Sequence, residues 1–135
     1  MSGGGPSILL TTSLDPAYPE ENMLDPNEKT FWLSTGMFPQ EILMQIGGHS
    51  NAMAGIGGSI VRIASTGIRE LRLEVSKDET EYPVNFATQD TLRLDNTAGS
   101  RLQHTELQVP QARFLKLVIL SGYSEFPSVH KLEVS

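Results

Sequence analysis

Apolar side chains recur at every second position along most of the chain. Leu71, Leu73 and Val75 alternate with Arg72 and Glu74, the period of a strand with one face buried and the other in water. The same alternation runs through Ile60 to Ala64, and through Leu102 to Val109, where Leu107 and Val109 are flanked by Glu106 and Gln108. Arg113 to Ser121 is the most apolar stretch. Its Leu115, Leu117 and Ile119 face one way, while Phe114, Val118 and Leu120 share the other face with Lys116. Apolar side chains on both faces predict a central strand covered on both sides. Ile8 to Ser13, Glu41 to Ile46, Val84 to Thr88 and Val129 to Val134 are further predicted strands.

Turn-forming residues separate these runs: Asp15-Pro16, Asp25-Pro26, Gly47-Gly48, Gly57-Gly58, Thr66-Gly67, Ala98-Gly99-Ser100 and Ser121-Gly122, residues that either supply positive φ or fix φ for a bend. No helical period is sustained anywhere in the sequence, so the crossover helices of a parallel α/β fold are missing. About eight short strands with this punctuation predict an all-β fold, an antiparallel β-sandwich or jelly roll whose two sheets bury one core. A chain of 135 residues is long enough for one such domain, expected over residues 7–135, with a flexible Gly/Ser-rich tail over residues 1–6.

Charge narrows the partners. Ten bases against sixteen acids give a formal net charge of −6, which argues against a phosphate-backbone binder, since nucleic-acid affinity needs a clustered cationic face. The chain has no cysteine, hence no disulfide framework, thiolate metal site or cysteine nucleophile. No basic and apolar leader opens the sequence and no long apolar run follows, so a cytosolic protein without membrane insertion is expected.

Candidate chemistry concentrates near the start. Asp15, Glu20, Glu21, Asp25 and Glu28 crowd into residues 15–30 against the single base Lys29. With Pro16, Pro19 and Pro26 and few apolar residues, this stretch is predicted to be an irregular loop that burial does not hold. A hard cation is one way to order it, because calcium takes oxygens from carboxylates, amides and backbone carbonyls of a curved loop. Asn22, Asp25, Asn27 and Thr30 supply such oxygens. The other reading is an ordinary solvated acidic surface. An EF-hand is excluded: with Asp25 in the first position, the sixth is Thr30 instead of Gly and the twelfth is Gly36 instead of Glu.

The segment Pro19-Glu20-Glu21-Asn22-Met23-Leu24-Asp25-Pro26-Asn27-Glu28-Lys29-Thr30-Phe31-Trp32 resembles the first calcium loop of galactose-binding-like (discoidin-type) jelly rolls, with Asn-x-x-Asp followed by Thr-x-Trp. Its continuation Leu33 to Glu41, with Phe126-Pro127-Ser128-Val129-His130, is similar to the branch of that family that serves transport in cilia and flagella. The resemblance implies one bound calcium ion (Ca2+), held by Asn22 through its carbonyl, the Asp25 carboxylate and Thr30, with Asn27 as a further carbonyl donor. It also implies a heterodimer with a Rab-like small GTPase, intraflagellar transport protein 27, among the subunits of transport complex B in the cytoplasm and the cilium or flagellum. Pro26, where the family more often has Gly, and the glycine-rich stretch Gly47 to Gly58 depart from the pattern.

The remaining motifs weigh less. Glu133 either closes the metal site from the last strand or faces outward beside Leu132 and Val134. Trp32, the only tryptophan, is expected in the core beneath the acidic loop with its indole N–H on one acceptor; a sugar-stacking platform is the rival role. Met37-Phe38-Pro39 is expected to plug a turn, with an apolar anchor for a partner as the alternative. His49, His104 and His130 lack the close pairing of zinc ligands. Gly55-Ile56-Gly57-Gly58-Ser59 has no following Lys and leads into a strand, so it reads as a hairpin and not a phosphate cradle. No nucleophile elbow or acid–base carboxylate pair stands out. The expectation is a non-catalytic docking subunit; the alternative from another class is a carbohydrate-binding module of the same fold. A small heat-shock chaperone is disfavoured, as no α-crystallin-like sequence is present.

Overall fold

Residues 7–13, 17–25, 27, 29–34, 37–46, 59–81, 83–96 and 102–134 are described by the computed structural model. Among them nine strands run in chain order as β1 (Ser7–Thr11), β2 (Trp32–Leu33), β3 (Gln40–Gln45), β4 (Ser59–Thr66), β5 (Ile68–Ser76), β6 (Ala87–Arg93), β7 (Gln103–Val109), β8 (Phe114–Gly122) and β9 (Ser128–Val134). They form two antiparallel sheets, one ordered β1-β3-β8-β5-β6 and the other β2-β9-β4-β7, stacked as a sandwich of the jelly-roll type. The strand predicted to be central, β8, is the middle strand of the five-stranded sheet, between β3 and β5. Both its faces are covered: Leu115, Leu117 and Ile119 enter the core between the sheets, and Phe114 and Val118 are equally buried. Above that outer face the Lys116 ammonium lies 4.0 Å from the centre of the Phe86 ring.

Alternation sets the register elsewhere. Val61 and Ile63 of β4 bury against Leu71 and Leu73 of β5 and Leu107 and Val109 of β7 in one core, while Arg62 between them faces solvent opposite Glu106. A one-residue slip would put the apolar set in water, so each strand's register follows from its pattern. β4 and β5 are joined by Gly67 alone, which adopts φ +75°. A side chain there would be strained, and its Cβ would lie 2.6 Å from the Ser124 hydroxyl.

The structure corrects the sequence reading at several places. The strand predicted over Val84 to Thr88 begins only at Ala87. The Asp78 carboxylate accepts the backbone N–H of Val84 at 2.8 Å and of Asn85 at 3.0 Å, which removes both donors from any ladder. Ser121-Gly122 is not a turn, because β8 continues through Gly122; a Cβ at Gly122 would lie 2.8 Å from the Phe38 ring. The two-residue β2 is too short to leave a period in the sequence and went unpredicted. The acidic stretch is not held apart from burial either. Glu20–Leu24 forms a 3-10 turn that packs on β1, β2 and β9, with Met23 fully buried in the core. The expected tail over residues 1–6 and the glycine-rich stretch 47–58, with His49 and the expected hairpin at Gly55 to Gly58, lie outside the described residues.

Two predictions follow from this packing. Met23→Ala empties a buried site and is expected to lower the free energy of unfolding by about 2–5 kcal/mol in urea titrations; a loss under about 0.5 kcal/mol would mean that the acidic turn is only a solvated surface loop. The amide hydrogen bonds from Asn85 and Val84, with the Asn85 side chain adding to them, hold the Asp78 carboxyl below the usual carboxylate range. A depressed folded value means that this contribution is complete above the ordinary carboxylate pKa of about 3.9 and is lost as pH falls through the lower folded value. The protection of the Val84 and Asn85 amides, relative to unstructured amides at the same pH, is therefore expected to hold down to that range and fall below it, and Asp78→Asn is expected to flatten the response.

Candidate metal centre

The acidic segment leaves the five-stranded sheet at the end of β1 and enters the four-stranded sheet at β2. Both junctions are stitched by buried polar groups. The Trp32 indole N–H donates to the Ser13 carbonyl at 3.0 Å, and the Thr11 hydroxyl donates to the same oxygen at 2.9 Å. Gln40, buried at the start of β3, receives the Thr12 hydroxyl at 2.7 Å and the Ser13 hydroxyl on its side-chain oxygen, and its amide donates to the Met37 carbonyl. Trp32 is wholly buried, as its expected core role requires, and so presents no face to a sugar.

Between these junctions the segment folds on itself through short-range hydrogen bonds. The Asn22 N–H donates to the Pro19 carbonyl at 3.1 Å and the Asp25 N–H to the Asn22 carbonyl at 3.2 Å. The Asp25 carboxylate accepts the Asn27 N–H at 2.9 Å, and the Asn27 side-chain oxygen accepts the Lys29 N–H at 3.0 Å, two turns of the Asx kind. Thr30 closes the run: its N–H and its hydroxyl both donate to the Asn27 carbonyl, at 3.2 and 2.9 Å. The Asn22 amide donates to the Phe31 carbonyl at 2.9 Å, tying the 3-10 turn to the residue that precedes β2.

Stacked rings fasten this assembly to the last strand. Tyr18 lies on Phe31 with ring centres 4.7 Å apart and planes within 15°, and Phe31 lies against His130 of β9 at 4.9 Å. His130 in turn shares a hydrogen bond of 2.9 Å with the Ser128 hydroxyl, which meets the Thr66 hydroxyl at 2.6 Å. The spacing of histidines in the sequence carries no trace of this role, since the contact depends on β9 lying beside β2.

Asn22, Asp25 and Thr30 thus belong to one hydrogen-bonded segment, with Asn27 as its hub. In donor chemistry they fit a hard cation. Asp25 keeps one carboxylate oxygen with no partner among the described residues, Asn22 its side-chain oxygen, and the Thr30 hydroxyl donates without accepting. All are oxygens, the donor type that calcium takes and zinc seldom does. Among the described residues no three His, Asp or Glu side chains gather as metal ligands, so amide, hydroxyl and backbone oxygens would make up most of the shell; Asp15 and Glu28 lie outside the described residues. Glu133, the other candidate, sits with its carboxylate 3.7 Å from the Arg62 guanidinium and 3.9 Å from the Lys131 ammonium, on the solvent face of β9. That is its outward-facing reading. Phe38 packs against the core while Met37 stands exposed, so the turn plug is Phe38 alone.

Comparison with solved structures finds the same fold. The Clostridium perfringens module CpGH89CBM32-5, in complex with GalNAc-β-1,3-galactose, superposes with a TM-score of 0.73 at 22% identity, covering 98% of this chain and 96% of that one. A further such module, CBM32-3 from a family 31 glycoside hydrolase of Clostridium perfringens, gives a TM-score of 0.69 at 17% identity, covering 99% and 92%. At that identity the likeness is one of fold. No family model matches the chain. Among curated proteins it is 34% identical over 131 residues to intraflagellar transport protein 25 of Chlamydomonas reinhardtii, covering 96% of this chain and 65% of the algal protein, just under two thirds of that relative's length. It is 32% identical over 134 residues to the human intraflagellar transport protein 25 homolog and 35% identical over 130 residues to that of the mouse, covering 98% and 95% of this chain and 87% and 85% of those proteins. With identities of 32 to 35% along nearly its whole length, the chain belongs to the intraflagellar transport protein 25 family.

Proposed function

We propose that this protein is a non-catalytic, calcium-binding subunit of the intraflagellar transport complex B, working in the cytoplasm and the cilium or flagellum as a heterodimer with a Rab-like small GTPase, intraflagellar transport protein 27. The observation that carries the transport role is an identity of 32 to 35% over nearly the whole of this chain to proteins named for it in an alga and two mammals. The calcium reading rests on the acidic segment. Asn22, Asp25 and Thr30 would hold the ion, with Asn27 as a further carbonyl donor. Bound there, a divalent cation supplies charge neutralisation for the acidic run and a crosslink between the 3-10 turn and β2; it takes part in no reaction.

A docking role suits a sandwich whose polar clusters serve its own architecture. The Ser128–His130 contact is spent on holding Phe31 and the β4–β5 turn. A carbohydrate-binding role, suggested by the fold neighbours, would need an exposed stacking ring; Trp32 does not supply one, and the exposed rings are Tyr123 and Phe126 among the described residues.

Calcium at a free concentration one hundred times its dissociation constant is expected to stabilise the protein by about 2.7 kcal/mol. Thermal unfolding with calcium and with EGTA reads this as a raised melting temperature, and Asp25→Ala is expected to abolish the difference; identical transitions in all four conditions would remove the ion from the account. For the partner, size-exclusion chromatography of an equimolar mixture with intraflagellar transport protein 27 is expected to give one co-eluting peak. Two separate peaks, together with binding on a glycan array, would favour the carbohydrate module instead.

A further inference from the structure

The five-stranded sheet has one strand more than the sheet it packs on, and β6 ends it beside β5 among the described residues. A strand in that position presents backbone N–H and C=O groups that no neighbour takes, a template on which another strand can pair. β6 is seven residues long, contains no proline and leaves six of its seven residues exposed, so neither shortness nor cover closes this edge. Its side chains bear on it instead. Asp90 lies opposite Leu73 of β5 and two residues from Leu92; Leu73 is in the core and Leu92 packs against it. Asp90 therefore stands on the core side of β6, at a position where the alternation calls for an apolar residue.

The Asp90 carboxylate accepts the Thr91 N–H at 2.8 Å, so one backbone donor of the strand is taken up by the strand itself. No cation pairs with this carboxylate among the described residues. Just before β6, Asp78 holds the N–H groups of Val84 and Asn85 and keeps the edge from lengthening. Symmetry adds a further constraint. Two β6 strands pairing antiparallel overlap along their whole length in one register only, and Asp90, the middle residue of Ala87–Arg93, then meets Asp90 of the second copy. Like charges directly opposite each other destabilise an antiparallel pair, and an inward-pointing charge on an edge strand is a device against edge-to-edge association. The bulge at Gln89 weakens any pairing at this edge but does not tell a second copy from another strand, as Asp90 does. We propose that Asp90 guards the β6 edge against pairing with β6 of a second copy and so keeps the chain a monomer. This holds whatever the acidic segment binds.

Asp90→Thr in the full chain tests this. It removes the charge and sets threonine opposite threonine, a favourable cross-strand pair, and threonine favours strands without adding a large apolar surface. Glu81→Thr, in the exposed loop before β6, removes the same charge away from the edge and serves as the control. In sedimentation velocity over a concentration series, the parent and Glu81→Thr are expected to remain monomers, while Asp90→Thr is expected to shift to a species of doubled mass as concentration rises. Hydrogen exchange on the same samples is expected to slow at the β6 amides of that dimer, whereas a chain merely loosened by the substitution would exchange faster there. Asp90→Thr that stays monomeric at every concentration, Glu81→Thr that dimerises to the same extent, or a dimer whose added protection lies outside β6 would overturn the proposal.

Discussion

A buried hydrogen bond from the Trp32 indole to the Ser13 carbonyl closes the acidic segment at its base. It joins residues 19 apart in sequence, at the two points where the chain leaves one sheet and enters the other. An indole N–H and a peptide carbonyl withdrawn from water are costly unless they meet each other, so the bond and the burial of the Trp32 ring require one another. The Gln40 amide repeats the arrangement one layer away, gathering the hydroxyls of Thr12 and Ser13 and the carbonyl of Met37. With its base fixed twice, the segment spans a defined gap. Only then do its short turns, each closed by hydrogen bonds worth roughly 0.5–1.5 kcal/mol, suffice to set its shape.

What lies above that base divides into an apolar anchor and a polar rim. Met23 reaches into the core from the 3-10 turn, and Tyr18, Phe31 and His130 stack along the edge of the four-stranded sheet. The acidic run can therefore carry its negative charges in close succession without being expelled from the fold. The same geometry leaves the oxygens of Asn22, Asp25 and Thr30 on a chain that is tethered through Phe31 to β9, so that any cation taken by the segment acts on the packing of the last strand. The two outer faces of the sandwich differ. On one, Phe86 lies over Lys116, and on the other Arg62 pairs with Glu106 and Glu133 across the strands.

Much of this was legible beforehand where period alone decides. The alternation at Leu71 to Val75 and the two-faced apolar run at Leu115 to Ile119 placed β5 and β8 because burial on a pleated sheet imposes a period of two. Trp32 in the core with one acceptor followed from its chemistry. The strand expected at Val84 failed because the Asp78 carboxylate, six residues away, takes the donors a ladder would have used, a competition that hydrophobicity does not register. Met23 was missed as an anchor since two adjacent apolar residues, Met23 and Leu24, in a polar run have no period. The stack through His130 was beyond reach for a different reason: it depends on β9 lying beside β2, and pairing between distant strands is not written locally. In the candidate centre, Asn22, Asp25, Asn27 and Thr30 stood out as oxygen donors in the acidic run, and resemblance to a family motif selected Asn22, Asp25 and Thr30 among them; their common hydrogen-bonded segment came from the fold.

The central claim is that the tethered acidic segment takes one calcium ion. Terbium, a luminescent stand-in for calcium, tests it most directly, because Trp32 and Tyr18 adjoin the segment and can sensitise a bound ion. Excitation of these rings is predicted to give terbium emission that saturates at one ion per chain and is displaced by calcium. Emission no greater than that of the free ion, or emission that excess calcium leaves unchanged, would contradict the account.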